Sequence, residues 1–158
     1  MDGDNTQTPS AIELTRHIET RYHARHREQL PELVALSAKV EQVHASVPDV
    51  PAGLSALLHE MIGELEVHMK KEELILFPAM RRGSPGLETT IAVMRADHDD
   101  HTAEISRIRA LTNDLKLPDG ACRKWTALYQ GLTEFVADLD AHVRLENDIL
   151  FPQFETAR

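Results

Sequence analysis

The sequence predicts an all-α protein, an up-down-up-down four-helix bundle. Three observations carry that reading. Apolar residues return every three or four positions through four stretches of roughly 25 residues, the spacing of one helix face. Short segments holding proline or glycine separate the stretches. One stretch also occurs twice: LEVHMKKEELILFPAM at Leu65–Met80 returns as LDAHVRLENDILFPQF at Leu139–Phe154, with Leu, His, Glu, Ile, Leu, Phe and Pro at matching places.

Met1 to Thr8 is polar and without periodicity, so residues 1–8 read as a disordered tail and 9–158 as one bundle domain. Pro9 and Ser10 open the first helix, which runs to about Ser46 with Leu30, Leu33, Val34, Val40 and Val43 on its apolar face. Pro31 removes a donor and clashes with the turn before it, which predicts a kink or break near Glu28 to Leu30. His23 lies seven residues before Leu30 and His26 seven before Leu33, so both can face inward.

Val47 to Gly53, VPDVPAG, is a loop. The second helix runs from about Ala52 to Phe77, with the stripe Leu54, Leu57 or Leu58, Met61, Leu65, His68, Glu72 and Ile75; Pro78 ends or kinks it. RGSPG at Arg82–Gly86 is a turn, with Ser84 as N-cap and Pro85 as the first residue of the third helix. That helix runs to about Thr112 on Leu87, Ile91, Met94, His98, His101 or Thr102, Ile105 and Ile108. Asn113 to Gly120 is a further turn. The fourth helix, about Ala121 to Phe151, keeps Leu128, Leu132, Phe135, Leu139, His142, Glu146 and Ile149 in one heptad phase. Helices of this length reach about 37 Å.

The chain has 158 residues, enough for a real core. Its formal charge is −9, from 26 acidic and 17 basic residues, so it has no net positive field to meet the phosphates of nucleic acid. The basic run from Arg16 to Arg27 is offset by Glu13, Glu19 and Glu28 and reads as a solvated face. No apolar run approaches the roughly 20 residues that cross a bilayer, and no signal peptide is visible, so no membrane partner is expected. The single Cys122 fits a reducing cytoplasm.

Each copy of the repeat carries His-x-x-x-Glu: His68 with Glu72, and His142 with Glu146. On a helix such a pair sits about 40° apart and about 6 Å along the axis, so imidazole and carboxylate can aim at one point. Both pairs lie on the apolar stripe, where a glutamate needs a partner. The inward polar set is His23 or His26, His68, Glu72, His98 or His101, His142 and Glu146. Imidazole with carboxylate and no thiolate suits iron, manganese or zinc. Six ligands exceed one catalytic zinc and suit two metals about 3.5–4 Å apart, with both glutamates bridging and two histidines on each ion. Such a centre leaves places for an oxo or hydroxo bridge and for a small diatomic ligand, nitric oxide or dioxygen. The Glu-x-x-His pattern of ferritin-like bundles does not match, because here His comes first and the step is four.

These motifs resemble the haemerythrin-like domain, and within it the di-iron proteins that repair iron–sulfur centres. The resemblance rests on RYHARHREQLPEL at Arg21–Leu33, HMKKEELILFP at His68–Pro78, DHD at Asp97–Asp99 and HVRLENDILFP at His142–Pro152, and it spans about Ile12 to Phe154. It implies His23, His68, His98 and His142 as terminal ligands of two irons, and Glu72 and Glu146 as bridges. Oxygen-carrying haemerythrins add a fifth histidine and an aspartate; here Thr102 stands four after His98, and Glu146 follows His142. The more open centre implied favours redox chemistry or nitric oxide binding over reversible oxygen carriage. Many repair proteins also carry a small N-terminal domain with a cysteine pair, whereas this sequence starts almost at the bundle.

The implied function is repair of iron–sulfur clusters under nitrosative or oxidative stress, by iron donation to iron–sulfur proteins. Three alternatives stand beside it: a nitric oxide or dioxygen binding or sensing protein, a di-iron nitric oxide reductase, and a metal-free or zinc-bound interaction bundle. His26 and His101 read as support for the ligands. His17, His44 and His59 fall off the stripes. Cys122 stands at a helix start without a thiol partner. Tyr22, Trp125 and Tyr129 read as packing residues, and Met61 and Met94 as core.

Overall fold

Ser10 starts the first helix by a reciprocal cap. Its Oγ accepts from the Glu13 N–H at 3.2 Å, and the Glu13 carboxylate accepts from the Ser10 N–H at 3.2 Å. The structure, a computed structural model, describes residues 9–155; the tail expected over 1–8 lies outside the described residues. Every regular element among the described residues is helical. Four long helices result. Helix α1 (11–43) joins Ala11–His17, a π turn Ile18–His23 and Ala24–Val43. Helix α2 (54–81) joins Leu54–Lys71, a π turn Glu72–Leu76 and Phe77–Arg81. Helix α3 is Glu88–Leu111. Helix α4 (123–154) joins Arg123–Leu145, a π turn Glu146–Leu150 and a 3₁₀ turn Phe151–Phe154.

Neighbours run antiparallel in the order α1–α2–α3–α4 and back to α1. Between α1 and α2, Glu19 meets Arg81 at one end, and Glu41 accepts from the Gly53 and Ser55 N–H groups at the other. That carboxylate satisfies donors left open at the start of α2. Between α1 and α4, Arg21 meets Asp138 and His44 meets Cys122. Helices α1 and α4 approach so closely that a Cβ on Gly131 would meet Leu33 Cδ2 at 2.8 Å.

Three boundary expectations are corrected. Pro31 does not break α1, because Ala24–Val43 continues through it as one α-helix. The irregular turn of α1 lies earlier, at Ile18–His23, where the Ala24 N–H reaches back to Glu19 O. Of the two outcomes expected at Pro78, the helix does not end there but continues to Arg81, and its irregularity takes the form of the π turn Glu72–Leu76 just before the proline. Ser84 does not cap α3; Leu87 occupies the cap position and makes no side-chain bond there.

The prolines of the repeat explain its two π turns. Pro78 and Pro152 have no N–H to give to a carbonyl one turn back, and their rings crowd it. The preceding residue instead bonds five back: Phe77 N–H to Glu72 O, and Phe151 N–H to Glu146 O. The extra residue shifts the buried face by one position. Ile75 and Ile149, expected on the stripe, are 64% and 37% exposed, while Leu76 and Leu150 are fully buried. Val43 is likewise outside the core.

The buried apolar residues form two separate clusters. One contains Leu30, Leu33, Leu57, Leu58, Trp125, Leu128 and Leu132. The other contains Ile18, Leu76, Phe77, Met80, Ile91, Met94, Leu150 and Phe151. The inward histidines and glutamates lie between them. The shifted phase has a direct test by urea unfolding: Leu76→Ala lowers stability by about 2–5 kcal/mol, while Ile75→Ala changes it by about 0.5 kcal/mol or less. Equal effects would restore the uninterrupted heptad.

Candidate metal centre

His23, His68, Glu72, His98, His142 and Glu146 are all at most 1% exposed and meet in one place. They form two groups that share both glutamates: His23 and His142 with Glu72 and Glu146, and His68 and His98 with the same pair. Within each group, the atoms able to hold a metal lie within 4.8 Å of one another. In the first, His23 Nε2 is 3.0 Å from Glu72 Oε1, and His142 Nε2 is 3.0 Å from Glu146 Oε2. In the second, His68 Nε2 is 3.4 Å from Glu72 Oε2, and His98 Nε2 is 2.8 Å from Glu146 Oε1. Each carboxylate therefore turns one oxygen to each group.

The outer nitrogen of every one of these rings has its own partner. His23 Nδ1 meets Glu73 Oε2 at 2.7 Å, His68 Nδ1 meets Asp97 Oδ2 at 3.0 Å, and His98 Nδ1 meets Asn147 Oδ1 at 2.8 Å. His142 Nδ1 meets His26 Nε2 at 3.1 Å. Arg27 holds Glu73 through both carboxylate oxygens and Glu66 as well. The first three partners are acceptors, so they draw the ring proton to Nδ1 and leave Nε2 bare toward the centre. Phe77 stacks on His23 with centroids 5.9 Å apart, and Phe151 stacks on His98 at 5.7 Å.

These residues fit a bound cation. Four buried atoms of the second group, His68 Nε2, His98 Nε2, Glu72 Oε2 and Glu146 Oε1, have no hydrogen-bond partner. Two bare nitrogens and two carboxylate oxygens facing one another repel unless a positive charge lies among them. The ionisation of the cluster without metal agrees. Burial and the neighbouring Glu146 push Glu72 well above the ordinary carboxylate range. Burial acts the same way on Glu146, but the charge and hydrogen bond of His142 outweigh it and hold Glu146 well below that range. Burial opposes a charge on His142 too, yet Glu146 and Glu72 lift it to about 9. Burial, then the charge of His142, lower His23 to about 4. The metal-free cluster is thus a protonated Glu72 on a neutral His23, beside an ionised Glu146 on a charged His142.

A family profile described as "Hemerythrin HHE cation binding domain" matches residues 14–154. The chain belongs to the haemerythrin family. It is 46% identical over 145 residues to a probable iron–sulfur cluster repair protein of Haemophilus influenzae, covering 91% of this chain and 65% of that protein. It is 45% identical over 151 residues to the iron–sulfur cluster repair protein YtfE of Yersinia pestis, covering 95% of this chain and 68% of that protein. The chain therefore spans about two thirds of the length of these relatives. No helix among its described residues is long and apolar enough to cross a membrane.

Of the alternatives open on sequence, His26 and His101 stay outside both groups. His26 sits behind His142, and His101 stands beside His68 with ring centroids 5.2 Å apart. Tyr22 does more than fill space, since it stacks on His142 at 5.6 Å and 15°. His17 and His59 are exposed, whereas His44 is half-buried and meets Cys122 Sγ at 3.2 Å. Sequence reasoning missed the outer partners Glu73 and Asn147 and the stacked Phe77 and Phe151. The signal was present in the repeat: both partners immediately follow a shared glutamate, and both rings belong to ILFP.

Stability of the chelator-treated protein tests this charge pattern. Glu72→Gln replaces a neutral group and changes unfolding free energy by about 1 kcal/mol or less. Glu146→Gln strands the charged His142 and costs about 3–5 kcal/mol. The reverse order would contradict the assignment.

Proposed function

We propose that the six residues hold two iron ions bridged by Glu72 and Glu146, and that the protein helps restore iron–sulfur clusters damaged by nitrosative or oxidative stress, by giving up iron. The observation that carries the metal count is the division of the donor atoms into two groups of four, each taking one oxygen from each glutamate. Imidazole and carboxylate together suit iron. Bound iron would supply one-electron chemistry and places for a diatomic molecule such as nitric oxide or dioxygen.

The chain's own groups do the rest. Glu73, Asp97, Asn147 and His26 fix the ring orientations. The two apolar clusters keep bulk water from the centre on both sides. The names of the relatives support the repair role and iron–sulfur proteins as partners. A single free cysteine is compatible with a reducing cytoplasm.

Mixing the reduced, iron-loaded protein with an apo iron–sulfur enzyme and a sulfide source should restore that enzyme's activity while this protein loses iron. Sequestration would instead give a stable nitrosyl spectrum with iron content unchanged, and a reductase would turn nitric oxide over to nitrous oxide. Either result without cluster recovery would refute donation. At the site itself, Glu72→Ala and Glu146→Ala should each speed iron loss to a chelator at least tenfold, while His17→Ala leaves it unchanged. Equal rates in all three would contradict the shared bridges.

Proton competition has a definite sign. Without metal, His142 titrates near 9 and Glu72 well above its ordinary range, so an entering cation displaces their protons. Metal uptake at pH 7 in weak buffer should release protons to an indicator dye, and apparent affinity should climb from pH 5 through 9. Affinity level across that range would rule out these ligands.

A further inference from the structure

A groove of 640 Å³ runs between α2 and α3, with Glu60, Glu64, Asp97, Asp100 and His101 among its lining, and it reaches the centre's own His68. Two side chains that the six-residue centre does not use stand here: His101 in the groove wall, and Glu104 one turn further along α3. His101 is 4% exposed, and neither of its ring nitrogens has a hydrogen-bond partner. Glu104 is 7% exposed, and its Oε1 also lacks one. The two orphaned atoms, His101 Nδ1 and Glu104 Oε1, are 3.5 Å apart. A buried imidazole with no hydrogen bond, beside a carboxylate oxygen that also has none, is a costly arrangement unless something binds between them.

We propose that His101 and Glu104 form a third, loosely held site for a divalent cation, a station between the groove and the His68–His98 half of the centre. The proposal rests on the di-iron reading above. His101 and Glu104 each offer one donor atom, and water in the groove completes the shell. Two protein donors hold a hydrated ion weakly, which suits a place of passage. The His101 ring lies 5.2 Å from that of His68 and 6.2 Å from that of His98, so the station adjoins that half. Glu64 stands behind it. Glu64 donates a hydrogen bond to Glu104, which with burial raises Glu64 to about 7, and that shared proton is one a cation can replace.

The sequence shows why one half has a station and the other does not. His23 and His26 are three apart on α1, as His98 and His101 are on α3. His26 spends its Nε2 on His142. The equivalent atom of His68 is already taken by Asp97, which leaves His101 unpartnered.

The test uses the iron-loaded protein, kept anaerobic and titrated with Mn²⁺ while the free-ion electron paramagnetic resonance signal is followed. The parent protein should bind one further ion weakly, with iron content unchanged after titration. His101→Ala and Glu104→Gln should each weaken that binding at least tenfold, keep the full iron content, and slow iron loss to a chelator several-fold. Glu104→Gln retains shape and hydrogen bonding, so it decides the matter if His101→Ala fails to fold. No further ion in the parent, or binding unaltered in Glu104→Gln, overturns the station. Iron analysis of the same samples reads the centre independently. A full centre without the station defeats this inference alone, whereas an empty centre in folded parent protein defeats the di-iron reading as well.

Discussion

Two glutamates and four histidines share one buried space, and their inner atoms cannot all satisfy one another. In the second group, His98 Nε2 faces Glu146 Oε1 at 2.8 Å, with its own proton drawn to the other side of the ring by Asn147. That is lone pair against lone pair. The cluster without metal relieves the conflict only in part, by keeping a proton on Glu72 and a charge on His142. Bound cations would relieve it further. Much of the surrounding architecture serves to keep these atoms facing one another: Arg27 fixes Glu73, Glu73 fixes His23, and aromatic rings cover His23 and His98. Rigid support behind the donor atoms is what metal sites require.

The backbone contributes through its irregular turns. A π turn ends at His23, and two others begin at Glu72 and Glu146. Such turns are frequent at functional sites, where one inserted residue re-aims a side chain without ending the helix. Here each repeat uses one insertion for two purposes. The turn begins at the shared glutamate, and the phase shift that follows buries Leu76 or Leu150 and carries Phe77 or Phe151 onto a histidine from the preceding helix. One half of the bundle, α1 with α2, thus echoes the other, α3 with α4. The echo fails at His101, and the two halves of the centre differ in their surroundings for that reason.

The helices and the inward ligand-type residues were legible in the sequence because their spacing is local and their chemistry costly to bury. A glutamate on an apolar stripe, found twice in the same words, needs little tertiary information to be noticed. The π turns were not legible in the same way. Heptad counting assumes an unbroken period, so it placed Ile75 and Ile149 inside when an added residue turns them out. Pro31 misled for a related reason: the rule against proline inside helices weighs only the local bond and clash, whereas Leu30 and Leu33 on either side are held in the core of the bundle. Outer partners such as Asp97 and Asn147 were hidden because acidic and amide residues next to ligands look like ordinary helix surface until the facing helix is in place.

The most direct test of the central claim is metal content per chain in protein purified anaerobically without added metal, with Glu72→Ala and Glu146→Ala variants prepared alongside. Shared bridges predict two irons per chain in the parent, and the loss of both ions together when either glutamate is removed. Zinc alone, one ion per chain, or variants that keep one iron fully bound would contradict a centre built on two carboxylates held in common.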